Sequence, residues 1–331
     1  MRVTVPLADR FGRVATDLRV SLTDRCNLRC NYCMPAEGLD WLPTEQTLTD
    51  DEIVRLITIG VERLGIREVR FTGGEPLLRR GLVDIVARTH ALGVETSLTT
   101  NALGLSRTAA ALAEADLDRV NVSIDSIRAE TFATITRRDR LADVVAGLAA
   151  ATAAGLGPVK LNAVLLRGVN DDQAPELLRW AVQHGYSLRF IEQMPLDAQH
   201  GWSRAEMVTA DEIFERLSAE FVLSPHGEPR GSAPAELFVV DDGPATVGII
   251  ASVTRPFCGD CDRVRLTADG QVRNCLFARE ESDLRTALRS GADDADIADR
   301  WVVAMRGKRA GHGIDDVSFL QPDRPMSAIG G

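Results

Sequence analysis

Short apolar runs alternate with longer stretches in which apolar residues recur every three or four positions, and this alternation organises the first two thirds of the chain. Residues 18–22 read as a first strand. Thr49 and Asp50 then offer a helix cap with Glu52 close behind, and Ile53, Leu56, Ile57 and Leu64 share one helical face. The pattern continues as strand 68–72, helix 81–92, strand 95–100, a helix near 109–115, strand 119–124, an Ala-rich helix over 140–154, strand 159–165, helix 175–184 and strand 188–192. Six strands in βα steps predict a parallel sheet with right-handed crossovers. A closed eight-stranded barrel takes ~250 residues, whereas the alternation here ends near residue 220. The expected fold is therefore α/β, an open, partial (β/α)6 TIM-type barrel over residues 1–220.

Beyond a helix at 211–218 the texture changes. Pro225, Gly227, Pro229, Gly231 and Pro234 mark a loop. Short strands at 237–240, 247–250, 263–266 and 271–273 follow, the last two joined by a turn at Asp269-Gly270, and then helices near 284–290 and 297–305. Residues 221–331 are expected to form a C-terminal module.

Composition narrows the class. With 331 residues, 45% of them hydrophobic, the chain can build an ordinary packed core. Its net charge of -10 opposes a broad nucleic-acid footprint, which needs many cations on phosphates. No apolar run reaches the length of a membrane span, and the N-terminus lacks a secretion signal. Six cysteines fall in two groups of three, which favours metal ligands in a reducing compartment over disulfides. The expected location is the cytoplasm, with no nucleic-acid or membrane partner.

Cys26, Cys30 and Cys33 stand at C-x3-C-x2-C spacing just past the first strand, so that one short wrapped loop can aim three sulfurs at one point. A closed zinc site wants four ligands, and the nearest histidine is distant His90. Three thiolates on a 4Fe-4S cluster would leave one iron open to a small molecule; three buried structural thiols are the plainer alternative. The loop, with Tyr32 before the third cysteine and Met34-Pro35 after it, resembles that of the radical S-adenosylmethionine (SAM) enzymes. The resemblance implies a cofactor SAM chelated to the open iron and cleaved to a 5'-deoxyadenosyl radical. Thr72-Gly73-Gly74-Glu75-Pro76 resembles the superfamily's Gly-Gly-Glu-Pro motif, and Ser123 and Met194 lie just past later strands. Turn chemistry or packing would equally explain each of these on residue type alone.

A second triad, Cys258, Cys261 and Cys275, has C-x2-C-x13-C spacing. Zinc completed by His226 or His312 is one reading of it. Arg19, Arg70, Lys160, Arg263 and Arg265 are strand cations that need anionic company if they face a barrel interior, from carboxylates or from a polyphosphate. With both triads, Arg263-Val264-Arg265 and the terminal Gly330-Gly331 in view, nearly the whole chain is similar to the GTP 3',8-cyclase family, radical enzymes that begin molybdenum cofactor biosynthesis. That resemblance implies two 4Fe-4S clusters, one on each triad; SAM beside Tyr32, Gly74, Ser123 and Met194; and GTP against Arg19, Arg70, Thr99, Lys160, Arg263, Val264 and Arg265. Arg263, Arg265, Gly330 and Gly331 are then the catalytic candidates. It further implies a low-potential electron donor, a homodimer, and cyclic pyranopterin monophosphate synthase as the enzyme receiving the product. Ala102 departs from the family, which often has Gly there. The competing readings are another radical SAM enzyme with an auxiliary cluster, acting on a peptide or other nucleotide, and a non-enzymatic zinc protein.

Overall fold

The computed structural model describes residues 5–330. Six strands come first: β1 (Asp17–Ser21), β2 (Glu68–Thr72), β3 (Glu95–Thr100), β4 (Arg119–Ser123), β5 (Lys160–Val164) and β6 (Ser187–Ile191). They pair in parallel in that order. Between and after them run α1 (Asp50–Leu64), α2 (Leu82–His90), α3 (Leu105–Glu114), α4 (Ala129–Thr136), α5 (Leu141–Ala153), α6 (Ala174–Gln183) and α7 (Ala210–Ser218).

Alternation along the strands divides the molecule into layers. Leu18, Val20, Val69, Phe71, Val120, Val122, Leu188 and Phe190 are buried in one core with the apolar faces of the helices. Asp17, Arg19, Arg70, Thr99, Asn121, Ser123, Asn162 and Arg189 alternate with them, so they point to the opposite, inner face. The inside of this barrel is consequently polar and cationic. Helix α1 shows how locally the sequence specifies its elements. Thr49 Oγ1 accepts from the Glu52 N–H (3.1 Å), the Glu52 carboxylate accepts from the Thr49 N–H (2.8 Å), and Gly65 closes the helix at φ 79°. Losing such a cap costs about 1 kcal/mol.

The C-terminal residues do not build a separate sheet. They add β7 (Leu223–Pro225), β8 (Glu236–Val240), β9 (Thr246–Ile250), β10 (Arg263–Leu266), β11 (Gln271–Arg273) and β12 (Ser282–Asp283) to both edges of the same one. Strand β9 runs parallel to β6, and β10 runs parallel to β1. The parallel core is therefore eight strands wide, two more than expected, and antiparallel ribbons continue it on each side without closing it. Helices α8 (Arg285–Arg289) and α9 (Asp294–Arg306) pack beside α1, where Arg55 pairs with Asp294 (2.9 Å) and Arg289 with Glu52 (2.8 Å). A last turn, α10 (Met326–Ile329), precedes Gly330. No described helix is long and apolar enough to cross a membrane.

Candidate active site

The C-terminal ends of the parallel strands surround two adjoining cavities. The smaller, about 160 Å³, is lined by Cys26, Cys30 and Cys33 with Gly73, Gly74 and Glu75. The loop carrying the cysteines is pinned to α4, a helix the sequence pattern did not announce. Arg29 N–H donates to the Thr136 carbonyl (3.0 Å), Asn31 N–H to Ile135 (2.9 Å), and Arg137 reaches the Arg29 and Met34 carbonyls. On its other side the loop lies on the glycine pair. Gly74 N–H donates to Thr23 and Glu75 N–H to Arg25, both at 2.7 Å. A Cβ at Gly74 would fall on the carbonyl oxygens of Asp24 and Arg25, and Gly73 has φ 137°. Here the glycines admit the chain's own backbone as well as bordering the cavity, a reason beyond the ligand approach expected from sequence.

Burial pushes the Cys26 thiol up to about 11 and Cys33 up to about 12, and it holds Cys30 well above the ordinary thiol range. Three thiols this desolvated stay protonated unless a metal takes them, because coordination deprotonates a thiol outright. Asn101 Nδ2 also approaches Cys26 Sγ at 3.8 Å and donates to Asn27 at 2.7 Å. The Asn101 N–H in turn donates to Glu75, whose fully buried carboxyl is pushed up to about 7 by desolvation.

The larger cavity, about 270 Å³, is lined by Cys258, Cys261 and Cys275 on one side and by Arg19, Arg70, Arg263 and Arg265 on another. Tyr32, Thr99, Ser123, Asp125 and Met326 border both cavities, so the two spaces share one wall. Tyr32 donates to Asp125 (2.8 Å), whose carboxyl burial raises to about 6. Strand register sets Arg265, Arg19 and Arg70 side by side, with Asp17 level with Arg263. Asp17 Oδ2 lies 3.6 to 3.9 Å from Arg19, Arg70 and Arg263. Burial would raise the Asp17 carboxyl, but the arginines outweigh it and hold it below its usual value. Burial, reinforced by the neighbouring cations and opposed by Asp17, drives Arg19 well below the ordinary guanidinium value, and burial brings Arg265 down to about 10. The Nε atoms of Arg19, Arg70, Arg189 and Arg263 are buried without a hydrogen-bond partner. Asp17, with Glu68 pairing Arg70 alone of the four (2.7 Å), is too little negative charge for so many donors and leaves room for a polyanion.

Not every expected residue meets this space. Met194 lines the larger cavity. Val264 faces the other way, into the core, because its neighbours on the strand take the inner face. Lys160 lines neither cavity; it stands at the start of β5, where burial and Arg189, Arg119 and Arg70 lower it to about 8. Gly330 does reach the site. Its carbonyl accepts from Arg265, and a Cβ there would meet Ser21 and Thr72. Gly331 lies outside the described residues. Arg189, Asn162 and Asp125 line the larger cavity and were missed. Arg189 carried a readable signal, since it sits among apolar neighbours in Ser187-Leu188-Arg189-Phe190-Ile191 just as Arg19 does in β1.

Two family models match successive parts of the chain, meeting well before residue 220. "Radical SAM superfamily" matches residues 20–181 and "Molybdenum Cofactor Synthesis C" matches residues 186–314. The GTP 3',8-cyclase of Streptomyces coelicolor is 68% identical over 98% of this chain and 96% of its own length. The chain belongs to the GTP 3',8-cyclase family. Members from Mycobacterium sp. (strain KMS) and Mycolicibacterium smegmatis are 64% and 62% identical, covering 100% and 98% of this chain and 95% and 92% of their own. Among solved structures, SuiB of Streptococcus suis shares the fold, with a TM-score of 0.62 at 13% identity over 94% of this chain and 76% of that one.

The thiols suit the family's clusters better than a single ion. Among the described residues no three His, Cys, Asp or Glu side chains gather closely enough to hold one metal ion. A cubane offers a separate iron to each thiolate, which spreads the three sulfurs apart. Completion of a zinc site by histidine is disfavoured too: His312 borders the larger cavity, but both its ring nitrogens are engaged. His312 turns Nε2 to the Ser252 carbonyl (3.1 Å) and accepts the Ile314 N–H on Nδ1 (3.1 Å), while His226 lies exposed beside β8 and lines neither cavity. Cys261 is held below its ordinary value: burial would raise it, but Lys308 and Arg263 together outweigh burial.

Proposed function

We propose that this chain converts GTP to 3',8-cyclo-7,8-dihydro-GTP, with a 4Fe-4S cluster on each cysteine triad. The observation that carries the reading is the shared wall: two triads open onto adjoining cavities with an arginine cluster on one side. SAM on the first cluster supplies, when bound, the radical that takes a hydrogen from the ribose. Cys26, Cys30 and Cys33 hold that cluster. Tyr32, Gly74, Ser123 and Met194 border the cofactor. Tyr32 is kept in place by Asp125, which fixes the partition between cofactor and substrate. Cys258, Cys261 and Cys275 would hold the second cluster, beside the cavity proposed for GTP.

Arg19, Arg70, Arg263 and Arg265 take the triphosphate, with Asp17 keeping four like charges together until it arrives. Thr99 at the shared wall adds a polar contact, and Lys160, outside both cavities at the start of β5, adds positive charge from a distance. Gly330 occupies Arg265 in the described state, so substrate phosphate competes with the tail for that guanidinium. A low-potential donor reduces the clusters, cyclic pyranopterin monophosphate synthase consumes the product, and the chain works as a homodimer in a reducing cytoplasm that keeps six free thiols available. Residues 1–220 supply the radical half and residues 221–331 complete the substrate half.

Cys275→Ala separates the two halves. The variant should keep the first cluster and reductive SAM cleavage while losing GTP cyclisation; cyclisation at the wild-type rate in the iron-loaded variant would refute the second-cluster assignment.

A further inference from the structure

We propose that Lys308 is a positioning residue for the second cluster, raising its reduction potential and tying it to Arg263; this rests on the reading of Cys258, Cys261 and Cys275 as that cluster's ligands. Lys308 lies two residues past α9 and is only 2% exposed. Its Nζ stands 3.3 Å from Cys261 Sγ, 3.3 Å from the Cys261 carbonyl and 2.8 Å from the Arg263 carbonyl. An ammonium has three donors, and all three are spent here. Among the described residues no carboxylate pairs with it, so the negative charge such a buried cation requires must come from the sulfur. The first triad has no such arrangement: the side-chain donor at Cys26 is the neutral Asn101 amide, at 3.8 Å.

A fixed positive charge against a ligand sulfur favours the state with one more electron, and hydrogen bonds to cluster sulfurs are a principal determinant of potential. Lys308 thus makes the second cluster easier to reduce than its bare thiolates would. The bond to the Arg263 carbonyl extends the effect to the substrate side, since Arg263 lies over the Phe257 ring (4.9 Å) at the edge of the larger cavity.

The test uses the full chain carrying Cys26→Ala, Cys30→Ala and Cys33→Ala, loaded anaerobically, so that the second cluster alone gives a paramagnetic signal on reduction. Lys308→Met and Lys308→Arg are compared with this parent by iron analysis and redox titration monitored by electron paramagnetic resonance. Lys308→Met should move the midpoint to more negative potential by about tenfold in the reduction equilibrium, ~59 mV for one electron, and Lys308→Arg should stay near the parent. An unchanged midpoint in the iron-holding fraction of Lys308→Met overturns the proposal, whether or not iron content falls. A parent without iron while Lys308 is intact overturns the cluster assignment itself, and this proposal with it.

Discussion

Gly74→Ala should dislodge the first cysteine loop while sparing the second triad. The added methyl would land on the carbonyl oxygens of Asp24 and Arg25 and 2.6 Å from the Arg25 carbonyl carbon, most of an ångström short of ordinary contact near 3.4 Å. Those neighbours are backbone, so no side chain can swing aside. The loop has to retreat, and the bonds from Gly74 N–H to Thr23 and from Glu75 N–H to Arg25 stretch with it. Two backbone bonds at about 1 kcal/mol each and an overpacking cost of about 1–3 kcal/mol give a loss of roughly 3–5 kcal/mol. Because Cys26 directly follows Arg25, the loss falls on the first cluster's ligands. Denaturant unfolding of the apo chain measures the energy, and iron per chain after anaerobic reconstitution measures the site. The expected outcome is that stability loss together with about half the wild-type iron. Full iron with stability within 1 kcal/mol of wild type would refute the reasoning.

Arg265→Ala should weaken GTP binding by about 1.5–3 kcal/mol, the worth of a hydrogen bond to a charged group; calorimetry checks it, and wild-type affinity counts against a phosphate role. Glu192 is fully buried and accepts from the N–H groups of Ala210, Val253 and Thr254 as well as the Thr254 hydroxyl, which fixes the approach to Cys258. Glu192→Gln must turn a donor onto at least one of those N–H groups, so it should cost about 1–3 kcal/mol and lower iron on the second triad, as unfolding and iron analysis would reveal. Asp125 carries a pH signature. Its folded value of about 6 lies above the ordinary 3.8, so the folded chain binds more protons across that window and stability falls as pH rises from about 4 to about 6, by about 3 kcal/mol at 1.36 kcal/mol per unit. Asp125→Asn keeps a partner for both Tyr32 and Val164 and should flatten that slope in unfolding curves; an unchanged slope assigns it elsewhere.

Much of the fold was legible because each barrel strand is a short apolar run on one face, and strand bounds such as 68–72, 95–100, 263–266 and 271–273 match those observed. What escaped were elements too short for a period to register: Leu223–Pro225, Ser282–Asp283, Met326–Ile329 and the single-cluster helix Ala129–Thr136. Parallel pairing of β9 and β10 with the barrel edges was invisible for another reason. Nothing in a strand's own residues names a partner some sixty or two hundred and fifty positions away, so the second module read as separate. The cysteine triads and Arg263 and Arg265 were legible by spacing and alternation, whereas Asp17 and Lys308 gain their meaning only from the charges folded around them.

The most direct measurement of the central claim is 5'-deoxyadenosine formation by the anaerobically reconstituted protein with SAM and a strong reductant, in the presence of GTP, of ATP and of neither. The expected result is a large rise with GTP alone, accompanied by the 3',8-cyclised product. Equal formation in all three would contradict GTP as substrate, and none despite full iron loading would contradict the radical chemistry itself.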